Sequence, residues 1–344
     1  MSARVPLTPR QVVILTQLID AYIATGHPVG SKTLVELGAV AASPSTVRYE
    51  LAQLESRGFL DHPHTSAGRV PTDAGYRLYA ESLLEQPLPP AVLPVDLSGV
   101  RNEVDTALRI TTEMLSQVTS LVALVTAPPL ETTEIRHIEV LLLQPQVVMV
   151  VVITATGGVT KRIFPFAQIV DPKLAEWGNA FLNEQLTGVR LGGRMLVTRL
   201  DEPGLSPTER AFLDAIRPAF TELVAAAEQQ LYVGGGARLL EEMHFDDLAE
   251  INDLVRVLEG RVGMLEMLRT ALDSPRPYLR IGADHPVPYM RGLAMVAANY
   301  GLATRNLGTV SVIGPRRMDY AAAIRSVRGA AHALSEFVAD VYEE

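Results

Sequence analysis

Apolar residues in the first 85 positions recur at helical period in four runs separated by turn residues. Thr8-Pro9-Arg10-Gln11 predicts a helix start, with Thr8 as cap, Pro9 where no N–H is missed, and Gln11 closing a capping box. Val12, Leu15, Ile19 and Tyr22 form its expected buried stripe, and Gly26 its stop. After the turn His27-Pro28-Val29, residues 31–37 read as a short second helix ended by Gly38. The stretch SPSTVRYELAQLESRG, residues 43–58, predicts a third helix capped by Ser43, with Val47, Leu51 and Leu54 on one stripe. The opposite face carries Ser45, Tyr49 and Ser56, flanked by Thr46, Arg48 and Gln53. Phe59-Leu60-Asp61 and Arg69-Val70-Pro71 predict two short strands around a Gly-containing loop, and Thr72 caps a closing helix over 73–84.

Beyond it the pattern loosens. Residues 86–94, QPLPPAVLP, hold four prolines and predict a stiff linker. A long amphipathic helix is expected over 97–125, then strands over 134–143, 147–154 and 160–166, the last two joined by Gly157-Gly158. The most apolar stretch, 138–153, is broken by Gln144-Pro145-Gln146 and falls short of the roughly 20 residues of a membrane span, so two buried strands are expected. Helices near 173–186, 207–231 and 245–272 follow. Strands over 279–283, 293–298 and 309–313 are expected to complete the sheet. A final helix over 318–342 places Tyr320, Ile324, Val327, Ala331, Leu334 and Val338 on one face.

Composition narrows the class. The 344 residues, 48% hydrophobic and 20% charged, suit a soluble globular chain of two or three domains. Cysteine is absent, which removes disulfides, thiol nucleophiles and cysteine zinc sites and fits a cytoplasmic protein. The start, MSARVPLTPR, has no apolar signal core. A net charge of −9 argues against non-specific coating of nucleic acid. Residues 1–82 are balanced, with seven basic and seven acidic side chains, so the excess acid lies in the remainder.

Short helix, turn and polar-faced helix make a helix-turn-helix pattern, and the hairpin after it reads as the wing of a winged helix. Hydroxyls, an aromatic, a guanidinium and an amide on the third helix are the groups that read base edges and phosphates. An ordinary amphipathic surface helix would show the same stripe. The candidate DNA contacts are Ser31, Lys32 and Thr33 at the head of the second helix, Ser45, Thr46, Arg48, Tyr49 and Gln53 on the third, and His62, His64, Thr65, Ser66 and Arg69 on the wing. Base contacts are expected from Ser45, Tyr49 and Gln53, and backbone contacts from Arg69, His62 and His64.

TGHPVGSKTL at 25–34, SPSTVR at 43–48, PHTSAGRVPTDAGYRLY at 63–79 and GPRRMDY at 314–320 closely resemble the HrcA family of heat-inducible transcription repressors. The chain departs from that pattern at Tyr49 and Leu51, where the family usually has an amide residue and Met. The resemblance implies an α+β multidomain protein. It would hold a winged helix over 1–85, a linker over 86–95, a GAF-like α/β sheet domain over 96–170 and 234–344, and an inserted dimerisation region over 171–233. It further implies a homodimer on an inverted-repeat operator in double-stranded DNA upstream of chaperone genes, release on heat shock, and restoration by the GroE chaperonin. No catalysis is implied, and no cofactor. The rival class is an enzyme or metabolite-binding protein whose N-terminal helices merely pack, and the alternative between the two is a metabolite-responsive regulator with a small ligand in the GAF-like domain.

Other motifs carry little chemistry. His62-x-His64 lacks further ligands for a metal, and Gly234-Gly235-Gly236 lacks the G-K-[ST] of a phosphate loop. Asp284-His285 has no nucleophile beside it. Gly314 to Tyr320 concentrates two arginines, an acid and a tyrosine at a strand-to-helix junction, where pairing with acids of the sheet or capping of carbonyls is expected rather than a ligand or chaperone contact.

Overall fold

A computed structural model describes residues 6–38, 42–63, 68–86, 89, 91, 97, 104–128, 134–155, 157–191, 194–221, 231–238, 252, 255–256, 260–272 and 277–343. The N-terminal elements follow their local signals. Helix α1, Pro9–Thr25, begins at Thr8 with the full capping box and ends at Gly26, whose φ of 71° is left-handed. Its buried stripe is Ile14, Leu15, Leu18 and Ile19 with Gln11, while Val12 is exposed. The buried stripe is thus displaced by part of a turn from the expected one, with the Gln11 amide bonded to Glu50 and Arg57. Helices α2, Ser31–Glu36, and α3, Pro44–Ser56, follow. Strands β1, Leu60–Asp61, and β2, Val70–Pro71, pair antiparallel, and α4, Asp73–Glu85, closes the unit behind its Thr72 cap.

Helix α5, Val104–Thr119, is shorter than expected. Ser120 takes a left-handed φ of 54°, and Val122–Thr126 turns into strand β3, whose first four residues are buried. The apolar run there is the centre of a sheet, which has no period to tell it from a helix stripe. Strands β4, Ile135–Gln144, β5, Val147–Thr154, and β6, Val159–Pro165, form a separate three-stranded antiparallel sheet. Alternate residues of β5 are buried, so the two strands expected to be buried are covered on one face. Helices α6, Pro172–Leu186, α7, Arg194–Leu200, and α8, Pro207–Ile216, come next. Leu231 belongs to strand β7, Leu231–Gly234, and not to a helix running through it. Helix α9, Arg261–Leu272, covers the last part of the helix expected over 245–272; Asn252, Val255 and Arg256 are also helical, but Gly260 is not, so α9 starts after it.

Strands β8, Tyr278–Ile281, β9, Leu293–Leu302, and β10, Arg305–Pro315, complete a five-stranded antiparallel sheet of order β7-β3-β10-β9-β8. They therefore extend β3 and not β4–β6. Val125 pairs with Val310, which ties together residues far apart in the chain. Strand β10 is buried without a break from Leu307 to Pro315, the mark of a strand covered on both faces. Helices α5 and α10, Tyr320–Glu343, pack on this layer, as does α9. The six expected residues of α10 are all buried.

Two hydrophobic cores result. One joins α1–α4 to the five-stranded layer, and the other runs from Ile135 to Phe220. Within the second, α6 closes the free edge of β4, because the Ile138 and Val140 N–H groups donate to Asn183 and Asn179 side chains, both at 2.9 Å. Of the proline-rich linker, the Ala91 N–H donates to the Arg325 carbonyl of α10 at 3.0 Å.

Candidate nucleic-acid interface

Helix α3 starts where Ser43 accepts the Thr46 N–H at 3.3 Å, with Pro44 next in the first turn. The hydroxyls of Ser45 and Thr46 lie 2.8 and 3.0 Å from that of Ser43, so the head of the helix is a cluster of exposed hydroxyl groups. Val47, Leu51 and Leu54 are buried, as their spacing requires. Ser45, Arg48 and Tyr49 stand exposed, Tyr49 at 64%, and Gln53 is half-buried beside them. On α2, Lys32 and Thr33 are exposed, whereas Ser31 is buried. His64, Thr65 and Ser66 lie outside the described residues.

The two acids of α3 are both drawn sideways into the fold. Glu50 accepts from the Gln11 amide at 3.0 Å and lies 3.9 Å from Arg10, while Arg57 donates to the Gln11 carbonyl oxygen at 3.2 Å. Glu55 accepts from Arg69 Nε at 2.7 Å and lies 3.8 Å from His62 Nδ1. Arg69 is also held by its backbone, whose N–H and C=O exchange hydrogen bonds of 2.9 Å with Val29. Arg69 thereby fastens the hairpin both to α3 and to the turn before α2. Gly68 permits this approach, since a Cβ there would lie 2.5 Å from the Val29 carbonyl carbon.

The outcome is a helix face bearing hydroxyls, an arginine, a tyrosine and an amide, with its carboxylates neutralised elsewhere. Spacing alone could place Ser45, Arg48, Tyr49 and Gln53 together. It could not reveal the bracing roles of Gln11, Glu50 and Glu55, whose partners are remote in sequence. Among the described residues no group of three His, Cys, Asp or Glu could hold a metal, and no helix is long and apolar enough to cross a membrane.

A family model described as HrcA protein C terminal domain matches residues 105–324. Proteins named heat-inducible transcription repressor HrcA match along almost the whole chain. The one from Nocardia farcinica (strain IFM 10152) is 34% identical over 338 residues, 96% of this chain and 97% of its own length. That of Thermobifida fusca (strain YX) is 32% identical over 339 residues, 97% of each chain. A crystal structure of a hypothetical protein superposes with a TM-score of 0.67 at 21% identity, covering 98% of this chain and 100% of that one, a likeness of fold.

Proposed function

The chain belongs to the HrcA family of transcription repressors, which are not enzymes, and we propose that it acts in the cytoplasm as a dimeric, heat-released repressor of chaperone genes. Residues 1–85 are the winged-helix reader and the five-stranded layer is its GAF-like body. The inserted dimerising region is the second core, Ile135 to Phe220, in place of the 171–233 expected, because β4–β6 pack with α6–α8 and β7 pairs with β3. The outward face of α3 carries this reading. Its side chains match the donors and acceptors of a major groove, and no carboxylate on it opposes the phosphates. Ser45, Tyr49 and Gln53 read bases, Arg48 a base or a phosphate, and Lys32, Thr33 and the wing the backbone.

Pairing of copies follows from the outer face of β4–β6. Leu141, Met149 and Ile163 share one row across the three strands, and Glu139, Val151 and Lys161 the next. Ile163 and Val159 are 59% and 64% exposed. A two-fold axis along β5 lays β4 of one copy over β6 of the other, which sets Glu139 against the partner's Lys161. Such a face is self-complementary, as an isologous dimer needs. The chaperonin is the expected folding partner, because β3 must wait for β10 before its layer can close, and such non-local pairing exposes apolar surface for long periods.

A gel shift of the full chain with the DNA upstream of its own gene tests the reading. A complex that survives a large excess of unrelated duplex is expected. Complexes that unrelated duplex removes in proportion would contradict it.

A further inference from the structure

The reader and the five-stranded layer meet at a charged joint that the repressor reading leaves unused. Asp73 and Arg77 lie one turn apart on α4. Asp73 accepts from Arg316 Nη1 at 3.2 Å and from the Ala283 N–H at 3.1 Å, and Arg77 pairs with Asp284. Arg316 and Asp284 come from two different loops of the layer, the β10–α10 junction and the loop after β8. The acid that Arg316 meets thus belongs to the reader and not, as expected from sequence, to the sheet. Gly282 has a φ of 57° and no side chain, and a Cβ on it would strike the Asp73 carboxylate. Arg317 takes the matching place beside Gly26 at the end of α1.

Apolar contacts lie under these pairs. The rings of Tyr76 and Tyr79 stand 5.8 and 6.2 Å from that of Tyr320, and Tyr79 donates to Asp20 of α1 at 2.5 Å. Ring packing holds two elements together but tolerates sliding and rotation. Charge-assisted hydrogen bonds have a direction, and two of them a helical turn apart, to anchors on different loops, fix an orientation. We infer that Asp73, Arg77, Arg316 and Asp284 are positioning residues that set the angle of each reader on its body, and so the half-site spacing that the dimer accepts. This rests on the repressor reading above. In a symmetric dimer, two readers engage one duplex together only if their separation matches the half-sites. When it does, the second contact becomes intramolecular and affinity rises steeply. The pairs are partly exposed, so their loss should leave the fold intact.

The test uses the full chain and a duplex that the wild type enriches from a randomised pool. That inverted repeat is then made with one to four base pairs added or removed at its centre, and also as a single half-site. Wild type should lose about a hundredfold in affinity when the spacing is wrong. The variant Asp73→Asn/Arg77→Gln should bind the single half-site as wild type does, yet lose less than about tenfold across the same series, a small part of the avidity range. Arg316→Gln/Asp284→Asn removes the pairs from the body side and should behave alike, which covers the case in which one variant fails to fold. A folded variant with the wild-type spacing profile would overturn the inference, as would a flat profile for the wild type itself. Equal losses on the half-site and on the full repeat would overturn it too, since the pairs would then serve the reader's own structure. Failure of the wild type to enrich any duplex would instead sink the repressor reading, and this inference with it.

Discussion

The two hydrophobic cores solve opposite problems. The first spans α1–α4, the five-stranded layer and α10, so that the core of the reader runs on through α4 into that of its body. The second is self-contained between Ile135 and Phe220, and its sheet shows an apolar face to the outside. A region that must hold an orientation is merged with its support. The region proposed to meet another copy is kept separate, with exposed Val159 and Ile163 on its sheet.

The largest test of that contrast is a cavity in each core. Leu54 and Leu182 are both fully buried, one in each, and truncation of either to Ala should cost about 2–5 kcal/mol. Hydrogen exchange should then separate them. Leu182→Ala should loosen β4–β6 and α6–α8 while β9 and β10 stay protected. Leu54→Ala should weaken α1–α4 and reach into the layer. Equal loosening of β9 and β10 in the two variants would merge the cores.

A second test is pH. Burial, with the Arg280 charge nearby, pushes the His285 imidazole down to about 4 from an ordinary 6.5, so it is neutral in the folded layer at pH 7. The unfolded chain takes up that proton first as pH falls. Stability from this residue is therefore complete above 6.5 and lost between 6.5 and about 4, at most roughly 3 kcal/mol. Urea unfolding across that range should show a shallower pH dependence in His285→Leu than in wild type, and identical slopes would remove His285 from the account.

The bare sheet face gives the third. Val151→Lys sets like charges against each other across the two-fold axis and should convert the dimer to a monomer in sedimentation, with about a hundredfold weaker binding to a two-half-site operator. Its melting as a monomer should be nearly unchanged, because Val151 lies outside the second core. A variant that remains a dimer would move the interface elsewhere.

What was legible follows how local each signal is. Thr8 with Gln11, Ser43 with Thr46, and Thr72 with Gly75 are caps that act within three residues, and each starts its helix where the sequence places it. The α3 stripe was legible for the same reason. The α5–β3 boundary was not, since Val122 continues the apolar stripe and only the backbone at Ser120 breaks it. Nor was the membership of β4–β6, because alternation marks a strand without naming its neighbours. The charges were hardest. Glu55 with Arg69, and Asp73 with Arg316, are ordinary surface residues until folding brings them together.

The central claim is that the outward face of α3 reads bases while the wing holds the backbone, and operator point variants titrated at several salt concentrations test it most directly. Tyr49→Ala and Gln53→Ala should each flatten the preference at particular base pairs, by about 1–3 kcal/mol. Arg69→Ala removes a wing cation and leaves Glu55 of α3 without its partner, so it should keep every preference, weaken all sequences alike and reduce the salt slope by about one unit. If Arg69→Ala changes which base is preferred, or if Tyr49→Ala and Gln53→Ala both leave all preferences intact, α3 does not read the groove.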